Sequence, residues 1–243
     1  MRIIKLNATD STNSYLRHLN TLEKVEDYTA VITKNQTQGK GQRGTVWLSE
    51  SSKNLTFSVF KDVSAIDLKE PFYMSMAAAL AVLNALHGLS LPRLSVKWPN
   101  DILSENKKIC GILIENVIKQ NSINASIIGI GLNVNQTEFE NLPQASSLKR
   151  ITGQHFDTDE LALGILQQLK HYFLLLEAGR HSEVKTEYEN LLFRKNKPST
   201  FKDAEGLMFS GFIKGVAPSG CLQVLLEDDI LKEFNLKEIS LLY

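Results

Sequence analysis

The sequence predicts an α+β protein, a mixed β-sheet flanked by helices and followed by a small C-terminal β-barrel. Three observations point there. Apolar-alternating segments and helix-forming stretches interleave as far as residue 192. The character then changes at Lys195-Asn196-Lys197-Pro198, after which short alternating stretches are divided by Gly215, Pro218-Ser219-Gly220 and Asp228-Asp229. Hydrophobic content of 43% over 243 residues is ample for a packed core. The spacing sets a domain boundary near residue 195, giving units 1–194 and 195–243.

Taken in order, residues 2–6 and 29–34 read as strands, with a polar helix from Thr12 to Leu22 between them. A Gly-rich loop at 39–46 precedes Leu55-Thr56-Phe57-Ser58-Val59-Phe60, which alternates as a strand. Residues 72–87 form a helix, because Met74, Ala77, Ala78, Leu80, Ala81 and Leu83 make an apolar face from strong helix formers. Strands follow at 93–97, 108–116 and 124–131, the last two joined as a hairpin around Gln120-Asn121. Helices come next at 158–177 and 181–192, the first opened by Asp157-Thr158-Asp159 with Glu160 in its first turn. The barrel strands are placed at 208–214, 221–226, 230–235 and 238–242.

Composition excludes several classes. Basic and acidic side chains balance at 27 each, which speaks against a nonspecific nucleic-acid binder. No apolar run approaches the roughly 20 residues that span a bilayer, and Met1-Arg2-Ile3-Ile4-Lys5 is no signal peptide. Cys110 and Cys221 are the only cysteines, too few for a disulfide framework or a cysteine-based zinc site, so a cytoplasmic protein is expected.

The run Lys97-Trp98-Pro99-Asn100-Asp101 follows the strand Leu94-Ser95-Val96 and places cations and oxygen donors at a strand end. Ten residues on lies Lys107-Lys108-Ile109-Cys110-Gly111-Ile112-Leu113. Two cations about a carboxylate suit a nucleoside triphosphate and its metal. Lys108 leads into an apolar strand, where its ammonium can serve as a point charge for phosphate or carboxylate, whereas Lys107 reads as solvated. In Gln36-Thr37-Gln38-Gly39-Lys40-Gly41-Gln42-Arg43-Gly44, three glycines let the backbone approach a ligand while Lys40 and Arg43 supply charge. Its Gly-x-Gly-x-x-Gly spacing is not a dinucleotide fingerprint, since Thr45-Val46-Trp47-Leu48 is a poor helix start. Ser11-Thr12-Asn13 is an N-cap that can also receive a polar heterocycle. Gly129-Ile130-Gly131-Leu132-Asn133-Val134-Asn135 is either a β-bulge and turn or a purine-reading amide site.

Together these elements resemble the biotin protein ligases (biotin–[acetyl-CoA-carboxylase] ligases): a Ser-Thr-Asn element, a Gln before a GRGRRG-like loop, KWPND, Lys-x-x-Gly-Ile-Leu and Gly-x-Gly-x-Asn, in that order. The KWPND run is the specific one. The resemblance implies a class II synthetase-like catalytic fold with an SH3-like C-terminal barrel. It also implies ATP-dependent formation of biotinyl-5′-adenylate with Mg²⁺, then transfer of biotin to a lysine of a biotin carboxyl carrier protein. Carried over by position, Ser11, Thr12, Asn13, Gln36, Gly39, Lys40, Gly41, Gln42, Lys108 and Gly111 bind biotin. Lys40, Arg43, Lys97, Asn100, Lys108 and Asn133 bind ATP. Lys108, Arg43 and Asp101 are catalytic, with Asp101 holding the metal. Lys40 and Gln42 depart from the arginines usual in the loop. Ser11 lies ten residues from the N-terminus, so the resemblance is to the monofunctional type without a winged-helix domain. No nucleic acid or membrane partner is expected, and the chain would be a monomer or homodimer. The rival readings are a lipoate–protein ligase, for which no Arg-Arg-x-Ser-Gly-Gly-Gly-like run is present, and a non-catalytic biotin sensor.

Overall fold

The computed structural model describes residues 2–66, 70–120 and 122–243. Seven strands form the larger sheet: β1 (Ile3–Leu6), β2 (Ala30–Thr33), β3 (Leu55–Asp62), β4 (Leu94–Lys97), β5 (Asp101–Ser104), β6 (Lys107–Lys119) and β7 (Ser122–Leu132). Their spatial order is β1-β2-β3-β7-β6-β5-β4. Helix α1 (Thr12–Leu22) is the crossover that lets β1 and β2 run parallel, and all other neighbours in this sheet are antiparallel.

Alternation along the strands gives the sheet two unlike faces. Phe57 and Val59 of β3 and Ile128 and Ile130 of β7 pack in the main core under α2 (Phe72–Ala85), α4 (Thr158–Glu177) and α5 (His181–Asn190), whereas α3 (Leu148–Thr152) is a short turn of helix. On the opposite face Leu16 of α1 joins Val31, Phe60, Ala125 and Ile127 in a second, smaller cluster. Beyond α1 that face carries small and polar residues instead, and there a cavity forms. The capping signals act as expected. Ser11 accepts from the Ser14 amide at the start of α1, and Asp157 Oδ1 accepts from the Asp159 and Glu160 amides at 2.7 and 3.2 Å.

The second sheet comprises β8 (Pro198–Asp203), β9 (Met208–Val216), β10 (Leu222–Leu226), β11 (Leu231–Phe234) and β12 (Ile239–Leu242), ordered β11-β10-β9-β8-β12 and antiparallel throughout. This is compatible with the expected SH3-like barrel. It is seated on the larger sheet. Trp98 Nε1 donates to Gly220 O at 2.9 Å, and the connection ahead of β8 is tied to β4, the Val96 amide donating to Leu191 O and the Phe193 amide to Val96 O, both at 2.8 Å. The hydrophobic core runs without a break from Met74 and Tyr188 to Phe201, Val216 and Leu222.

Helices α1 and α4 occupy the predicted residues. Strands β5 and β8 and helix α3 were not expected. The hairpin turn falls where expected, since Lys119 pairs with Ser122, with Asn121 itself outside the described residues. Among the described residues no helix is long and apolar enough to cross a membrane.

Candidate active site

A single row of paired residues crosses the open face: Thr56 on β3, Gly131 on β7, Gly111 on β6, Asp101 on β5 and Lys97 on β4. The two central glycines leave a trench, and the indole of Trp47 lies in it. A Cβ added to Gly131 would sit 2.4 Å from Trp47 Cε2, and one added to Gly111 would sit 3.1 Å from its Cζ3. The glycines at 129 and 131 therefore serve close approach, and the bulge, one of the two readings of that stretch, is absent at these positions. The β6–β7 register is regular there and shifts only between Val117 and Ile118. Trp47 is delivered by a small hairpin in which its amide donates to Gly39 O at 3.0 Å and the Gly41 amide to Thr45 O at 2.7 Å. Residues Gln42–Gly44 make the 3₁₀ turn at the tip.

Below the hairpin is a cavity of about 250 Å³. Its buried end is polar. Thr12 donates through its amide to Gln36 Oε1 at 2.8 Å, and Ser58 Oγ lies 2.6 Å from both Thr12 Oγ1 and Asn13 Oδ1. Asn13 Nδ2 donates to Glu115 Oε2 at 2.7 Å. Gly129 permits this, since a Cβ there would lie 2.4 Å from Asn13 Oδ1. Lys40 Nζ donates to Ser14 Oγ at 2.9 Å from the loop side.

The other end is cationic. Lys108 Nζ makes an ion pair with Asp101 Oδ1 at 2.7 Å and stands 5.6 Å from the Trp47 ring. Simple alternation would turn Lys108 toward the core with Cys110 and Ile112. The register of β5 against β6 shifts by one residue after Ile102, so that Leu103 pairs with Lys108 and the lysine is re-aimed to the open face. Lys97 Nζ is 4.0 Å from Asp101 Oδ2 and 5.1 Å above the Tyr243 ring. Burial pulls the Lys97 ammonium below the ordinary lysine range, and Asp101 opposes that. One carboxylate thus serves two ammonium groups, leaving positive charge for an anion. Cys110 is fully buried and burial pushes its thiol up, so it is held as the neutral thiol and not as a nucleophile.

Of the residues expected from sequence, Ser11, Thr12, Asn13, Gln36, Lys40, Gly41, Gln42, Asn100, Asp101, Lys108 and Gly111 all line this one cavity. Gly39 does not. It closes the hairpin, where a Cβ would lie 2.3 Å from Trp47 O. Lys97 lines a neighbouring cavity of about 230 Å³ against the second sheet, and Gln42 borders both. The backbone of Arg43 is in the 3₁₀ turn, and its side chain lies outside the described structure. Asn133 lines neither cavity. It is 4% exposed and its Nδ2 donates to Ser146 O at 3.0 Å, so it anchors the segment beside Lys108 instead of facing the cavity. Lys107 is also tied, donating to Pro143 O at 2.7 Å. Asp101, expected as a metal ligand, is engaged by lysines, and among the described residues no group of three His, Cys, Asp or Glu could hold a metal. Sequence reasoning missed Trp47, Ser58 and Glu115. Trp47 is marked only by its approach to Gly131, and Ser58 and Glu115 only by their bonds to Asn13, none of which a sequence pattern records.

Residues 6–133 match the model of the biotin/lipoate A/B protein ligase family. Over 239 residues, 96% of this chain and 71% of the relative, the sequence is 28% identical to the bifunctional ligase/repressor BirA of Escherichia coli. It is 32% identical over 147 residues to the biotin–[acetyl-CoA-carboxylase] ligase of Mycobacterium tuberculosis, covering 59% of this chain and 53% of that one. A solved biotin protein ligase from Aquifex aeolicus, in complex with biotin and ATP, superimposes with a TM-score of 0.82 at 28% identity, covering 99% of this chain and 98% of the other.

Proposed function

The chain belongs to the biotin/lipoate A/B protein ligase family, and on that premise we propose that it is a biotin protein ligase whose own residues divide the work between the two ends of the trench. One observation carries the reading. A single cavity joins a buried wall of amide and hydroxyl groups to a pair of lysines sharing one carboxylate. A urea ring fits the first end and a carboxylate meeting a phosphate fits the second. The polar wall also favours biotin over lipoate, whose dithiolane ring would leave the spare acceptor capacity of Thr12 and Gln36 unmet.

In the first step a carboxylate oxygen of biotin attacks the α-phosphorus of ATP. The bond from that phosphorus to the bridging oxygen breaks and pyrophosphate leaves. No enzyme nucleophile is needed. What the chain supplies is alignment of two anions and neutralisation of the charge that develops between them. We assign Lys108 the contact to both, a reading supported by its position at the cationic end and its ion pair with Asp101. Lys97 adds positive charge beside Asp101, and Lys40 and Arg43 are the cations the loop brings to the reaction. Magnesium enters as part of the substrate, MgATP, carried by phosphate oxygens. In the second step the ε-amine of a lysine on a biotin carboxyl carrier protein attacks the acyl carbon, AMP departs with the bonding pair, and the amine loses its proton to solvent. Trp47 roofs the trench and keeps water from the mixed anhydride.

The test is biotin-dependent exchange of labelled pyrophosphate into ATP, followed by labelling of a carrier domain. Exchange that needs biotin supports the reading, and exchange driven by lipoate and not by biotin overturns it.

A further inference from the structure

Beneath the pocket wall, two residues that do not line it are wired to those that do. Ser58 is fully buried, and Glu115 approaches Asn13 from β6. Glu115 accepts from Asn13 Nδ2 at 2.7 Å through one oxygen and from Arg17 at 2.9 Å through the other. A carboxylate accepts only, so the Asn13 amide has no choice of orientation, and Oδ1 must face Ser58. That oxygen, also acceptor-only, takes the Ser58 proton at 2.6 Å. The Ser58 oxygen is then free to accept from Thr12, again at 2.6 Å, a closer partner than Gln36 Oε1 at 3.1 Å. The chain therefore runs Thr12 to Ser58 to Asn13 to Glu115, every proton pointing away from the pocket. Thr12 Oγ1 keeps its lone pairs for a ligand, and Gln36 Oε1, taken only by the Thr12 amide, keeps one.

We propose that Glu115, acting through Asn13 and Ser58, sets the direction of this buried hydrogen-bond chain and thereby makes the Thr12–Gln36 wall an acceptor for a ring N–H edge. The inference deepens the biotin reading and rests on it. With the chain reversed, Asn13 Nδ2 would donate to Ser58, Ser58 to Thr12, and Thr12 to Gln36. The wall would then lose acceptor capacity where a urea presents donors. Glu115 and Ser58 are positioning residues, since neither lines the cavity.

Glu115→Ala and Ser58→Ala each remove one link without adding bulk. Thermal melting establishes that the variants fold. Calorimetry with biotin should show affinity about tenfold or more weaker in each, as expected when a buried polar chain loses a member. The KM for ATP in adenylate formation should stay at the wild-type value. The decisive probe is a pair of cyclic-carbamate analogues of biotin, each with one ring N–H replaced by oxygen. The wild type should reject at least one of them, and that discrimination should shrink in both variants. Unchanged biotin affinity, parallel loss for biotin and ATP, or discrimination as strong as in the wild type would each overturn the proposal. If Glu115→Ala does not fold, Ser58→Ala alone decides. A wild-type protein that neither binds biotin nor supports exchange would instead sink the functional reading on which this rests.

Discussion

Lys108 reaches the cavity through a one-residue shift in register, and its contact with Asp101 holds it at the end where phosphate charge must be offset. Lys108→Ala should lower the single-turnover rate of adenylate formation by about 10²–10³, the usual loss for one electrostatic contact to a developing charge, with biotin affinity little changed. Asp101→Asn separates two roles for that carboxylate. If it orients Lys108 and Lys97, adenylation falls while the Mg²⁺ concentration for half-maximal rate stays put. A raised Mg²⁺ requirement would make it a metal ligand after all. At this scale the sequence identified the charged groups but not their directions. Alternation places Lys108 with Cys110 and Ile112, and nothing in the residues announces the extra position that re-aims it. Asn133 illustrates the converse. An amide after a glycine pair looks like a base reader, yet the strand end buries it against Ser146.

The hairpin from Gly39 to Trp47 is held by two backbone hydrogen bonds at its base, and its 3₁₀ tip is closed by Thr45, whose amide and hydroxyl both donate to Gln42 O. Amide exchange should therefore be slower at Gly41 and Trp47 than through Gln42–Gly44 in the free protein. It should slow throughout when biotinyl-adenylate gives Lys40 and Arg43 an anion. Mass-spectrometric exchange with and without the adenylate checks this, and identical profiles would reduce the loop to a connector. Elements with strong local signals were legible. Caps at Ser11 and Asp157 fixed the starts of α1 and α4, and alternation gave β3. What escaped were short elements defined by their neighbours. β5 is four residues following Pro99, and β8 begins at Pro198 in a stretch that reads as a linker, with Phe201 its one large apolar residue. Such strands are specified by the partner they pair with, which no single-sequence pattern records.

At the scale of the whole molecule, the two sheets share one core. The division at residue 195, natural from composition, does not separate two hydrophobic interiors. Trp98 spans the joint, Gly220 admits Phe72, and Tyr243 packs on Phe193 and above Lys97. Truncation after residue 194 should therefore expose Phe72, Trp98 and Phe193 and yield a protein with a markedly lower Tm. Biotin binding, whose cavity lies wholly before residue 132, should survive at temperatures where the fragment stays folded. Calorimetric scanning and biotin titration of the fragment check both halves, and a fragment as stable as the full chain would show that the units are independent.

The chain has two tryptophans, and the fold has put one at each place where something must happen. Trp47 roofs the reaction trench with its Nε1 buried and without a hydrogen-bond partner, close to the Lys108 ammonium, while Trp98 is clamped to the second sheet. The molecule thus carries its own optical probes. Trp98→Phe leaves an indole whose emission should change as a ligand replaces cavity water. Trp47→Phe leaves one that reports the seam between the sheets, so that ligand capture and loosening of the joint can be timed separately in unlabelled protein.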